Sequence, residues 1–349
     1  MKRLKLTFFA VIVFSGFCFS QDTVKVAVLD EQQAEKLYNE GITFFEKKNL
    51  SDALKKFDAA IAVKPNFAKA LYNRGSVKME LKDFSGAVTD FNKTIENDPT
   101  NEKAFFSRAQ ARYETKDTSG ALTDYTTAIQ KNSAYSQAYY YRGGLYFESG
   151  KYKEAIDDYS QAININSEYA YAYNDRGSAK RMMDDNTGAL ADYNKATQLN
   201  PKLAFAYNNL GSEKKKMKDY DGAIVAYSTA ISLKPEYYIA LNNRGTVKFE
   251  KEDYKGAITD YDDAIRINPK YAFAYNNRGN AKYKQKDFKG AVADYDKAIE
   301  LNPSYGFAYL NRGIAKEMLR DSKGACTDWK KSAELGVTNA SNYVKQQCN

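Results

Sequence analysis

The chain has 349 residues, 43% of them hydrophobic, with 52 Lys and Arg against 44 Asp and Glu and no histidine. A formal charge of +8 over that length, with lysines scattered throughout, is not the basic stripe of a nucleic-acid binder. Without imidazole the commonest general base and zinc ligand are missing, so acid–base and metal chemistry are poorly served. In chain order, residues 1–20 open with Lys2, Arg3 and Lys5, run apolar from Leu6 to Phe14 and end on small Ser20. That is the form of a cleavable secretory signal, too short for a stable span. Lipid attachment at Cys18 is disfavoured by bulky Phe17, and an uncleaved anchor is the other alternative. Cleavage after Ser20 lowers the net charge to +5 and leaves no membrane span. Residues 21–33 read as an N-terminal arm. Val24, Val26 and Val28 alternate as in an edge strand or lie in a disordered segment, and Asp30 with Gln33 forms a capping box for a first helix.

From residue 34 onward one unit of 34 residues is written nine times. Its eighth position is Gly41, Gly75, Ala109, Gly143, Gly177, Gly211, Gly245, Gly279 and Gly313. Alanine follows 12 residues later and an aromatic 16 residues later, and all six prolines share one position. Fixed-period repetition predicts a solenoid that buries its apolar faces between neighbours, one array rather than several domains. Within Ala272–Tyr305, Tyr275, Arg278, Gly279 and Lys282 keep helical spacing, as do Ala291, Tyr295 and Ala298. Two helices per unit follow. Asp287 caps the second and Pro303 closes it. Glycine inside the first helix costs about 1 kcal/mol, which implies a close approach there, with Ala291 as the expected partner. The third and fourth units are the least regular and hint at a looser bend.

Position 7 is Arg and position 23 is Asp in seven units, among them Arg74 with Asp90, Arg278 with Asp294 and Arg312 with Asp328. The first unit exchanges the charges, Glu40 with Lys56, and the sixth has neither, Leu210 with Ala226. Paired change of this kind predicts a partly buried ion pair inside each unit, serving register more than net stability. Reading anionic ligands is the alternative role. Lys78, Lys180, Lys214, Lys248, Lys282 and Lys316 are read as a solvated or snorkelling set. After Trp329 the unit pattern lapses, and residues 338–349 are expected to form a capping helix. Cys326 stands at a core position and Cys348 in the cap, so a disulfide between them is one reading and two idle thiols the other.

The pattern over residues 34–337 resembles the tetratricopeptide repeat. The resemblance implies an all-α, right-handed α-solenoid of nine helix-turn-helix repeats with a C-terminal capping helix. The tail, GACTDWKKSAELG, resembles the ends of exported repeat proteins of the Bacteroidetes group. By the same resemblance the first helix of each unit lines a concave groove with its positions 2, 5, 6, 9, 12 and 13. Position 2 there becomes apolar in the last five units, Tyr171, Phe205, Ile239, Phe273 and Phe307. Position 5 changes from aromatic residues to Asn174, Asn208, Asn242 and Asn276, and position 6 holds Asn73, Asn209, Asn243, Asn277 and Asn311. Position 13 carries Glu46, Glu80, Glu114 and Glu148 in the first half only. Rows of amides offer donor and acceptor together to the backbone of an extended peptide, although asparagine can equally bond its own neighbours. Position 5 lacks the lysines with which related repeats clamp acidic chaperone tails.

The expected function is a non-catalytic scaffold holding an extended peptide or partner helix in that groove. The alternative is carbohydrate or another small ligand in the same place. An enzyme is disfavoured, because no phosphate loop, activated thiol or unexplained carboxylate pair stands out. The reading calls for neither a metal nor a cofactor. A protein or peptide partner, no nucleic acid, and a location in the periplasm, cell envelope or outside the cell complete it.

Overall fold

The computed structural model describes residues 21–348, which form nineteen α-helices and no strand. The expected signal, 1–20 with Cys18, lies outside the described residues. Among those described, no helix is long and apolar enough to cross a membrane. The chain divides after Ala138 into two compact units. The first holds α1 (Gln21–Glu46), α2 (Leu50–Val63), α3 (Ala68–Glu80), α4 (Phe84–Asn97), α5 (Glu102–Glu114) and α6 (Thr118–Lys131). The boundary falls within α7 (Ser136–Glu148). The second continues with α8 (Tyr152–Ile165), α9 (Ala170–Met182), α10 (Asn186–Leu199), α11 (Ala204–Lys216) and α12 (Tyr220–Leu233). It ends with α13 (Tyr238–Glu250), α14 (Tyr254–Ile267), α15 (Ala272–Lys284), α16 (Phe288–Leu301), α17 (Gly306–Met318), α18 (Ser322–Glu334) and α19 (Thr338–Gln347). Within each unit an odd-numbered helix packs on its successor, and that successor packs on the first helix of the next repeat.

The turn between paired helices is tight because one residue serves both. Lys286 turns left-handed at φ 64°, its N–H bonds to Tyr283 O, and the Asp287 N–H reaches Lys282 O at 2.9 Å. This is a Schellman closure with lysine where glycine is usual. Asp287 then caps α16 by accepting from the Gly290 N–H at 2.9 Å. Asp83, Asp117, Asp185, Asp219, Asp253 and Asp321 do the same, Asn49 replaces them in the first repeat, and Lys151 makes no such cap in the fourth.

Two expectations are corrected. The arm at 21–33 is neither strand nor coil but the start of α1, which runs unbroken from Gln21, so Asp30 and Gln33 lie inside a helix and cap nothing. Glu31 explains part of that continuity, because it pairs with Lys64 at the end of the second helix and so ties α1 to its own repeat. The close approach at the repeat glycine is also with a different partner. A methyl on Gly279 would come 2.7 Å from the Tyr295 ring and one on Gly75 2.7 Å from Phe91, so glycine makes room first for the aromatic at position 24; the alanine backbone comes next, with Ala257 O 3.2 Å from a methyl on Gly245 and Ala189 O 3.2 Å from one on Gly177. That aromatic is the centre of each packed layer: Tyr261 lies between Ala257 of its own helix and Ala281 of the next repeat, all fully or almost fully buried.

Candidate binding face on the first helices

The arginines predicted to bridge helices do so as forks. Arg278 Nε and Nη2 donate to Asp294 at 2.9 and 2.5 Å, Arg74 holds Asp90 at 2.9 and 2.5 Å, and Arg312 holds Asp328 at 2.8 and 2.6 Å. In the first repeat Lys56 meets Glu40 at 2.6 Å. The three aspartates are buried and bidentate pairing satisfies them, whereas Glu40 of the first repeat stays partly exposed. Two further members were not anticipated. Lys78, Lys180, Lys248, Lys282 and Lys316 are not solvated; each sits 2.8 Å from the same aspartate, completing a triad. The third arginine nitrogen reaches back to position 25 of the preceding repeat, at Asp58, Ser160, Ser228, Asp262 and Asp296. Position 25 is small and polar in the first eight repeats, the sequence signal for this link. These arginines are therefore already paired inside the array.

The amide rows are split by the structure. Asn174, Asn208, Asn242 and Asn276 are buried, not presented on a face. Each accepts a hydrogen bond from position 6 of the next repeat: Asn209 to Asn174 at 3.0 Å, Asn243 to Asn208 at 3.1 Å, Asn277 to Asn242 and Asn311 to Asn276 at 3.0 Å. Position 5 thus acts as a stitch between repeats. Other chemistry fills the same stitch earlier, with Asn73 donating to the Tyr38 hydroxyl at 3.1 Å and Tyr140 to Asp175 at 2.7 Å. Burial holds the Asp175 carboxyl above the ordinary carboxylate range despite that bond. The position-5 and position-6 residues that meet stand 35 apart in successive repeats, a spacing that reading each unit by itself does not test.

Position 6 stays half-buried, and position 2 is where apolar surface comes out. Tyr171, Phe273 and Phe307 are 45%, 48% and 57% exposed, whereas Phe205 and Ile239 are half-buried. Tyr171 packs on Phe205 with ring centres 5.8 Å apart, and Phe273 lies between Tyr271 at 5.6 Å and Tyr305 at 5.1 Å. These contacts fix the rings while leaving one face of each in water. Glu46, Glu80, Glu114 and Glu148 are exposed, with Glu80 paired to Lys48 at 3.0 Å. At the C-terminal end Cys326 and Cys348 form a disulfide, and Tyr343 of α19 stacks on Trp329 at 4.9 Å, covering the last repeat. Among the described residues no cluster of Cys, Asp or Glu is arranged to hold a metal ion.

Sequence models of the tetratricopeptide repeat match residues 38–102, 204–237 and 272–305, and a model of the TPR repeat matches 143–183 and 245–286. No curated protein matches the chain. Among solved structures, Cut9–Hcn1 of an APC/C hetero-tetramer is similar over 90% of this chain and 76% of that one, at 16% identity and a TM-score of 0.58. PilF of Pseudomonas aeruginosa is similar over 62% of this chain and 98% of that one, at 19% identity and a TM-score of 0.54. Likeness at such identities speaks for the fold alone. YrrB, described as a TPR protein with an unusual peptide-binding site, is 24% identical over 53% of this chain and 95% of its own, with a TM-score of 0.46.

Proposed function

For a chain built of tetratricopeptide repeats, we propose a non-catalytic scaffold that holds an extended peptide along the first helices of repeats five to nine. The observation that carries this reading is the exposed row Tyr171, Phe273 and Phe307, standing beside half-buried amides whose orientation is fixed from behind. A side-chain amide has two N–H donors and an acceptor oxygen. Asn209, Asn243 and Asn311 each spend one N–H on the preceding repeat, and the other groups suit a peptide backbone whatever its side chains. The aromatic faces then take alternate apolar side chains of that peptide. Because the stitch locks the amides before binding, little side-chain entropy is lost on association.

The same chain is proposed to work outside the cytoplasm. Its basic-then-apolar residues 1–20 and the Cys326–Cys348 disulfide both favour an oxidising compartment. N-terminal sequencing of the protein recovered from fractionated cells tests this, with a start at Gln21 expected and a start at Met1 in the cytoplasm against it.

Binding is tested by selecting a random peptide display library on the chain from Gln21 and on a Tyr171→Ser, Phe273→Ser, Phe307→Ser variant of equal helicity. Those three side chains are exposed, so the variant keeps its fold. Enriched peptides that bind the variant at least about tenfold more weakly, a loss of about 1.4 kcal/mol, support the reading. Equal binding to both proteins, or no enrichment at all, rejects it.

A further inference from the structure

The joint between the fifth and sixth repeats departs from every other in the second unit. Where a repeat precedes it, position 10 is a core slot: Val77, Ala111, Ala179, Val247, Ala281 and Ala315 are all fully buried against the position-24 aromatic of the repeat before. In the sixth repeat that slot holds Glu213, 0% exposed, with neither carboxylate oxygen bonded to anything. Beside it the ion triad is absent: Leu210 stands for arginine and Ala226 for aspartate, packed with Ala189 and Tyr193. Lys214, the triad's remaining cation, turns away to the capping Asp219 at 3.0 Å. One buried acid has therefore lost any fixed partner in a place that is apolar in every other repeat from the second to the ninth. An ionised carboxylate costs far more there than a neutral one, since charge burial adds to the cost of the missing hydrogen bonds.

We propose that Glu213 makes the joint between repeats five and six a proton-controlled hinge, closed while the side chain is neutral and loosened when it ionises. The groups that face it come from each neighbouring helix. Arg181 on α9 and Lys216 on α11 favour its charge, and the phenol of Tyr193 on α10 senses that charge. The Tyr193 hydroxyl is already engaged with Ser178 at 3.1 Å, and on α12 the Tyr227 hydroxyl donates to Ser212 at 3.0 Å, so neither supplies a bond to Glu213. Burial outweighs the two cations and holds the carboxyl above its ordinary value of 4.5. The sign follows. Between the ordinary value and the raised one the closed joint keeps a proton that the opened joint has released, so opening becomes easier as pH rises through that window. Above the raised value the dependence levels off.

Hydrogen exchange of the full chain, read at α9–α12 from pH 4 to pH 8 and corrected for intrinsic exchange, tests the hinge. The opening constant in wild type should rise by up to about tenfold per pH unit and then plateau. In Glu213→Gln, which has no charge to release, α9–α12 should be flat with pH, and α15–α16 should be flat in both proteins. A 13C titration of the Glu213 carboxyl in wild type gives a second reading that needs no variant. Equal pH profiles in wild type and Glu213→Gln, or a carboxyl that titrates at its ordinary value, overturn the proposal.

Discussion

Repeats six and eight of the second unit share a backbone plan and differ in what holds the plan together. In repeat eight, Arg278, Asp294 and Lys282 form a closed triad with a further tie to Asp262 of the repeat before. In repeat six the same positions are Leu210, Ala226 and a diverted Lys214, and an unpaired Glu213 has entered the core. Both repeats keep their two helices, their aspartate cap and their buried tyrosine. The triad is therefore not what makes the repeat fold. It is a register device, and a repeat can dispense with it when both charges leave together, since removing a buried pair is far cheaper than removing half of it.

Breaking that pair in halves gives the largest expected effect. Arg278→Leu leaves Asp294 buried with only Lys282 and should destabilise the array by about 3 kcal/mol. Adding Asp294→Ala to it recreates the sixth repeat's solution and should recover the loss to within about 1 kcal/mol of wild type. Urea unfolding followed by helical dichroism, with hydrogen exchange locating the change to α15 and α16, distinguishes the two. A double variant as poor as the single one would show that the sixth repeat is tolerated for some other reason.

The next effect has the opposite sign. Glu213→Val restores the residue found at Val77 and Val247, and at pH 7 it should stabilise by about 1–3 kcal/mol, the cost of an unbonded buried polar group. The gain should shrink as the pH falls and the native carboxyl takes its proton, which thermal melts at pH 5 and pH 7 would show.

Two smaller predictions concern what the repeats share. Gly279→Ala and Gly211→Ala should each cost about 2 kcal/mol, because a methyl would come 2.7 Å from Tyr295 or 2.9 Å from Tyr227 and the ring must move. A clear inequality in chemical denaturation would mean that the looser sixth repeat yields where the eighth does not. Lys286→Gly and Lys218→Gly should each stabilise by up to about 1 kcal/mol, relieving a left-handed residue at φ 64° or 63°. No gain in melting temperature from either would mean that glycine's extra freedom in the unfolded chain cancels it.

Much of this architecture could be read in advance. The helical pairs, the caps and the Arg–Asp forks depend on spacing within one unit, and nine copies of a unit act as an internal alignment that displays spacing directly. Contacts that step from one repeat to the next were harder to see. Within a unit the lysine at position 11 is the exception, because nothing in one helix says that its ammonium bends onto an aspartate of the other. The asparagines of position 5 looked like ligand anchors because amides suit both roles, and only the 35-residue stitch to position 6 shows which one they have.

The sequence by itself determined the repeat, its period, the helix ends inside the repeats and the Arg–Asp partnership within a unit, because these follow from local geometry repeated without interruption. Only the tertiary structure decided which side chains remain available to a partner. Availability depends on what the neighbouring repeat covers: it buries Asn276, leaves Phe273 half in water and encloses Glu213 without a single bond.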